Sequence, residues 1–111
     1  MDITTTRFKR CDLVKASGRV NSQTAPQLAE AFKALQDENH FKIVFDMSQV
    51  DFISSAGLRV MIDVQKTCKQ EGRGEMVLAQ VPERVYDTLD LAGFVGLFRI
   101  CDQVVEAVGS F

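Results

Sequence analysis

Two adjacent serines, Ser54 and Ser55, followed by Ala56-Gly57-Leu58-Arg59, are the residues whose types and spacing point to chemistry. Each hydroxyl can accept a phosphoryl group, and the pair stands where an extended apolar segment gives way to a helical pattern. A helix N-terminus leaves its first amide N–H groups unpaired and carries partial positive charge. A phosphate on Ser55 would be met by those amides. Arg59, four residues on and on the same helical face, is placed to reach it as well. Ala56 and Gly57 are small enough to let another backbone approach. The other use of these hydroxyls is helix capping, worth about 1 kcal/mol. No Glu or Gln stands three residues beyond either serine, so a reciprocal capping box is absent.

Other chemistries find little to work with. A serine nucleophile needs a base and an oxyanion hole, yet His40 is the only histidine and no Gly-x-Ser-x-Gly elbow occurs. No Walker or Gly-x-Gly-x-x-Gly pattern suggests a nucleotide. Cys11, Cys68 and Cys101 are far apart and, with His40, lack metal-ligand spacing. They read as reduced, buried thiols of a cytosolic protein. The expectation is a binding protein rather than an enzyme, without metal or cofactor.

The elements that must position the serines follow from the apolar periodicity. Ile3 to Arg10 and Asp12 to Ser17 read as two strands of a hairpin, turning at Lys9-Arg10-Cys11-Asp12, with Gly18 breaking the pattern. Asn21, Ser22 and Thr24 offer caps, and Pro26 suits the first turn of a helix carrying Leu28, Phe32 and Leu35 to about Asp37. Phe41 to Phe45 is a short central strand. Asp46 to Ile53 reads as a loop leading into the helix of Leu58, Met61, Ile62, Val64 and Cys68, which stops near Glu71-Gly72-Arg73-Gly74. Met76 to Ala79 is a further central strand. Pro82 opens a helix with Val85, Leu89 and Ala92 inward and Gly93 at its end. Leu97 to Ile100 is extended, and Asp102 caps a last helix with Val104, Val105 and Val108. Phe32, Phe41, Phe45 and Phe52 read as core, and Phe94 and Val95 as partly exposed residues suited to a secondary contact. Alternating strands and helices predict an α/β domain, with a mixed, largely parallel sheet of about four to five strands and about four helices.

The bulk numbers agree with one domain over residues 1–111. Apolar residues are 46% and charged residues 25%, as in an average soluble protein, so no disordered class is indicated. The net charge of -2, with both signs interspersed, argues against a nucleic-acid surface. Neither a secretory signal nor an apolar run of about 20 residues is apparent. A cytoplasmic location, with no direct nucleic-acid or membrane contact, is expected.

Phe52-Ile53-Ser54-Ser55-Ala56-Gly57-Leu58-Arg59-Val60, preceded by Asp46-Met47-Ser48, resembles the signature of STAS-domain anti-sigma-factor antagonists, a bacterial regulatory family. Gly18 to Leu28 is similar to that family's segment after the second strand. Leu91-Ala92-Gly93-Phe94 with Leu97-Phe98-Arg99-Ile100 is similar to its C-terminal segment. The resemblance implies a partner switch controlling transcription. The unphosphorylated domain binds an anti-sigma factor that is also an ATP-binding serine kinase of the GHKL type. Phosphorylation at the helix start abolishes that binding, and a metal-dependent serine phosphatase of the PP2C type restores it. Ser55 matches the phosphoacceptor, with Ser54 the second choice, since Ala56 removes the other neighbouring hydroxyl. Asn21, Ser22, Ser54, Ala56, Gly57 and Arg59 fall on the implied partner surface. Ser54 stands where the family usually has Asp, and Asn21 where many members do. The same resemblance also accommodates a regulatory piece of a membrane transporter, or another binding-only module without a kinase.

Overall fold

The computed structural model describes residues 1–70 and 74–111. Its elements run β1 (Asp2–Arg7), β2 (Asp12–Val20), α1 (Ala25–Asp37), β3 (Lys42–Ile53), α2 (Ser55–Gln70), β4 (Glu75–Ala79), α3 (Glu83–Leu91), a 3-10 turn (Val95–Leu97), β5 (Arg99–Cys101) and α4 (Val104–Gly109). The five strands lie side by side in chain order. β1 is antiparallel to β2, and every other pair is parallel. This is the mixed, mainly parallel sheet that the alternating pattern predicts.

Side-chain alternation sends the two faces of the sheet to different cores. Val14, Ile43, Phe45, Met76 and Leu78 bury against Leu28 and Phe32 of α1, Leu58 and Met61 of α2, and Val85 and Leu89 of α3. Phe32 meets Phe45 edge to face, with ring centroids 5.2 Å apart, a favoured aromatic geometry. On the other face Val44, Val77 and Ala79 pack against Ala107 and Val108 of α4.

Several boundaries differ from the sequence reading. The first strand stops at Arg7, and the turn closes with Phe8 N–H donating to the Cys11 carbonyl. Gly18 does not end β2. It takes a left-handed φ of 102° inside the strand, which continues to Val20. Asp46 to Ile53 is not a loop but the last two-thirds of a twelve-residue β3. What disguised it is irregular pairing: Lys15 faces Asp46 while Ser17 faces Gln49, and Gly18 faces Val50 while Arg19 faces Phe52. Each extra residue bulges β3 and breaks the strict alternation by which a strand is read. The buried Asp46 carboxylate accepts the Ser48 amide at 2.9 Å and holds the first bulge.

Ala92 is exposed rather than inward, because α3 ends at Leu91 and the chain turns out through Gly93, whose φ is 78°. Leu97 belongs to the 3-10 turn rather than to β5. Gln103, not Asp102, is the N-cap of α4, because the Asp102 amide is engaged by the Glu106 carboxylate. Val105 points to solvent. Of the expected stop after α2, Glu71, Gly72 and Arg73 lie outside the described residues.

Gln65 was not singled out by its sequence, yet it ties three elements together. Its amide nitrogen donates to the carbonyls of Met76 at 3.2 Å and Leu97 at 2.8 Å, and its oxygen accepts the Met76 N–H at 2.7 Å. The side chain is 5% exposed, so each of these polar groups depends on the others. A Gln65→Leu variant leaves the Met76 N–H unpaired. It is expected to unfold about 1–3 kcal/mol more easily in urea, and an unchanged midpoint would refute the assignment.

Cys11, Cys68 and Cys101 are free and buried, as their composition suggested. Burial pushes all three thiols above their ordinary range. The carboxylate of Asp12 adds to the effect at Cys11 and that of Glu106 at Cys101, while a hydrogen bond from Gln36 opposes it at Cys68. Unfolding restores the lower pKa, so this contribution is fully present below the ordinary thiol range and is lost as pH rises from there through the raised folded pKa. Native protein at neutral pH is expected to resist iodoacetamide at all three positions and to react on denaturation. Rapid native labelling would contradict this.

Candidate functional site

The site lies where β2 and β3 end together. Val20 and Ile53 are partners in the parallel register, and the chain leaves each to begin a helical segment. The Ser54 amide donates to the Val20 carbonyl at 2.8 Å, clamping the start of α2 onto the end of β2. In open α/β sheets the carboxyl ends of the strands are the usual place for function.

Of the two serines, Ser54 and not Ser55 takes the capping role. Ser54 is the cap: its Oγ accepts the Gly57 amide at 3.4 Å and its carbonyl accepts the Leu58 amide at 2.9 Å. Ser55 is the first residue of α2 and is exposed. Its hydroxyl is therefore spared the capping role and stands at the positive end of a sixteen-residue helix. Arg59 is exposed but leans along the helix to Asp63, with 3.7 Å between Nε and the carboxylate. Exposed pairs of this kind are worth under about 1 kcal/mol, so an anion one turn earlier would compete for the guanidinium on favourable terms.

The β2–α1 loop flanks this helix start. Asn21 Oδ1 accepts the Gln23 amide at 2.9 Å and the Thr24 amide at 3.1 Å, and Thr24 Oγ1 donates to the Arg19 carbonyl at 2.7 Å. Thr24 occupies the N-cap position of α1 but makes no capping bond to the helix; its Oγ1 instead accepts the Asn21 amide at 2.9 Å, so Asn21 and Thr24 shape the loop together. Ser22 is exposed at the tip. Asn21 and Ser54 thus supply the oxygens that an Asp would supply, without its charge.

Ala56 and Gly57 serve packing in the structure. Ala56 is half-buried against the main core. A Cβ on Gly57 would stand 2.6 Å from Val20 Cγ1 and 2.7 Å from Ile53 Cγ1, so the close approach there is between α2 and its own strands. Phe52 is not core: it is 37% exposed, and its ring carries the Arg19 guanidinium 4.4 Å from the centroid. The Arg19–Phe52 register pair adds a cation–π surface beside the serines. Its only sequence signal was the position of Phe52 just before them. Phe94 and Val95 pack half-buried against the core, and the exposed apolar residues nearby are Leu91 and Leu97. His40 lies far from the serines, at the other end of β3, beside Asp12. Among the described residues no cluster of His, Cys, Asp or Glu could hold a metal ion, and no helix is long and apolar enough to cross a membrane.

The profile of the STAS domain matches residues 2–107. The chain belongs to the STAS domain family. Over 94 residues it is 35% identical to BtrV of Bordetella bronchiseptica, named as a candidate anti-sigma factor antagonist, covering 85% of this chain and 80% of that protein. Over 100 residues it is 31% identical to the anti-sigma F factor antagonist of Paenibacillus polymyxa, covering 86% and 82%. Its fold matches the anti-sigma factor antagonist SpoIIAA in both solved states. The unphosphorylated form gives a TM-score of 0.82 at 13% identity over 98% of this chain and 95% of that one. The phosphorylated form from Bacillus gives 0.78 at 11% identity over 98% of each.

The STAS site separates structural from available groups, and substitutions should do the same. Gly57→Ala is expected to cost about 1–3 kcal/mol through overpacking and Ser54→Ala about 1 kcal/mol through the lost cap. Ser55→Ala is expected to stay within about 0.5 kcal/mol of the parent, as for other exposed positions. Thermal unfolding of the three variants checks the order, and a Ser55→Ala loss as large as that of Ser54→Ala would reverse the assignment of the cap.

Proposed function

We propose that this STAS domain is an anti-sigma factor antagonist that works by partner switching. In the unphosphorylated state it binds an anti-sigma factor that is also a serine kinase of the GHKL type. That kinase phosphorylates Ser55 and binding is lost, and a PP2C-type serine phosphatase restores it. The domain itself carries no catalytic residue in this reading. It acts as a binding module of the cytoplasm.

The observation that carries the proposal is the division of labour at the start of α2. Ser54 makes the cap, so Ser55 presents an exposed hydroxyl on a rigid frame. The names of BtrV and the Paenibacillus relative support the role. SpoIIAA, solved with and without phosphate on the same fold, supports the switch.

The charge balance explains why modification would change binding rather than folding. A phosphoserine adds about -1.5 to -2 charges. At the first residue of α2 those charges face unpaired amides, with Arg59 one turn away, so the folded domain accommodates them. A partner face that closed over a neutral hydroxyl would have to desolvate them. A penalty of about 3 kcal/mol weakens binding by roughly two orders of magnitude. The partner surface would comprise Asn21, Ser22, Ser54 and Arg59, together with the Arg19–Phe52 pair, while Ala56 and Gly57 hold α2 in place behind it.

Incubation with ATP and the serine kinase encoded in the same genome is expected to add one phosphoryl group, mapped to Ser55 and absent in Ser55→Ala. Ser55→Ala should bind that kinase constitutively, and Ser55→Asp about 100-fold more weakly. Phosphate on Ser54 instead, or parent-like binding by Ser55→Asp, would sink the proposal.

A further inference from the structure

At the end of the sheet opposite Ser55, the β1–β2 turn and the α1–β3 connection flank an open cleft of about 690 Å³. Volumes of this order are typical of small-molecule sites. Its cationic lining is Arg7, Lys9, Arg10 and Lys42, with His40 and the single carboxylate of Asp12 beside them. In a chain of net charge -2 this is a marked local excess of positive charge.

The carboxylate is already committed. Asp12, 2% exposed, accepts from Arg7 at 2.7 Å, and its Oδ2 lies 3.3 Å from His40 Nδ1. Arg7 Nη1 also lies 3.0 Å from that ring nitrogen. The three side chains form one network on the cleft wall, with the buried acid as its anchor. Among the described residues no carboxylate pairs with Lys9, Arg10 or Lys42. Glu75, which faces Lys42 in the β3–β4 register, is engaged by Arg99 at 3.0 Å.

Both walls are fixed by backbone bonds. The turn closes through Phe8 N–H and the Cys11 carbonyl at 2.9 Å. On the other side Glu38 and His40 amides both return to the Leu35 carbonyl, and Asn39 takes a left-handed φ of 65°. The backbone that carries the cations is therefore preorganised around the cleft, which lowers the cost of binding.

We propose that this cleft binds a small, multiply charged phosphate oxyanion of the di- or triphosphate class. Three cations without carboxylate partners, together with the Arg7 guanidinium, match a ligand that carries several charges in a short length. Lys supplies point charges and Arg a planar donor fork, the usual pair for phosphate recognition. A free inorganic polyphosphate and the phosphate tail of a nucleotide share this chemistry. The cleft lies the length of β3 away from Ser55, so the site is independent of the switch proposed above.

Calorimetric titration of the full chain with inorganic tripolyphosphate, at low salt, tests it. Saturable one-to-one binding is expected, weakened at least about tenfold in the Lys9→Gln, Arg10→Gln double variant. The Lys66→Gln, Lys69→Gln double variant removes the same charge from exposed positions of α2 and is expected to bind within about twofold of the parent. Amide shifts in an NMR titration should centre on the 8–11 turn and on 39–42. ATP binding as tightly as tripolyphosphate would assign the site to the phosphate chain alone, and tighter ATP binding would assign it to a nucleotide. No saturable binding, equal loss in both double variants, or equal affinity for a poly-glutamate peptide would overturn the proposal.

Discussion

The hydrogen bond from the Ser54 amide to the Val20 carbonyl, with Gly57 seated against Val20 and Ile53, fixes where α2 begins. β2 and β3 run parallel and finish level, so both of their exits lie at one edge. Without a side chain at Gly57 the helix can sit directly on that edge. Its first residue then emerges into solvent while the second and third pack down. The loop from Asn21 to Thr24, the Arg19–Phe52 pair and the exposed Ser55 are neighbours because of this contact.

The large features were legible in the sequence for simple reasons. Leu28, Phe32 and Leu35 recur at helical spacing, and their face is the one that packs on the sheet. Gly93 ends α3 as its type suggests. The Ser54-Ser55 pair could be placed at a helix start because β-branched and aromatic residues give way there to Ala, Gly and Leu. What could not be read depends on contacts between distant segments. The bulges in β3 arise from its pairing with β2, so the alternation that marks a strand disappears between Asp46 and Ile53. Gln65 looks like any polar helical residue until Met76 and Leu97 are brought to it. Which serine caps and which is free is decided by the clamp to Val20, a residue more than thirty positions away.

Asn21 and Ser54, neutral where the sequence resemblance implies acids, take on a definite meaning in the fold. Asn21 and Ser54 each present an oxygen to backbone amides that would otherwise be unpaired. Substituting a neutral acceptor for a carboxylate preserves the local geometry, at the cost of some dipole stabilisation at a helix start. The surface around Ser55 is consequently less negative than an Asp-bearing counterpart would be. That changes which partner charges approach it favourably, while the shape offered to them stays the same.

Gln65 stands ten residues along the same helix as Ser55 and joins α2 to β4 and to the 3-10 turn. With Ser54 clamped to β2 at one end, α2 is anchored twice along its length. Sliding or rotating α2 would break the Ser54–Val20 bond at one end and the buried Gln65 bonds further along, so both contacts oppose a shift of the helix when a group is added at its tip. A modification at Ser55 would then stay local, legible only to a molecule that touches it. If Ser55 is the modified residue, as proposed, the domain would work as a fixed tag: a partner could consult that residue without waiting for the fold to rearrange.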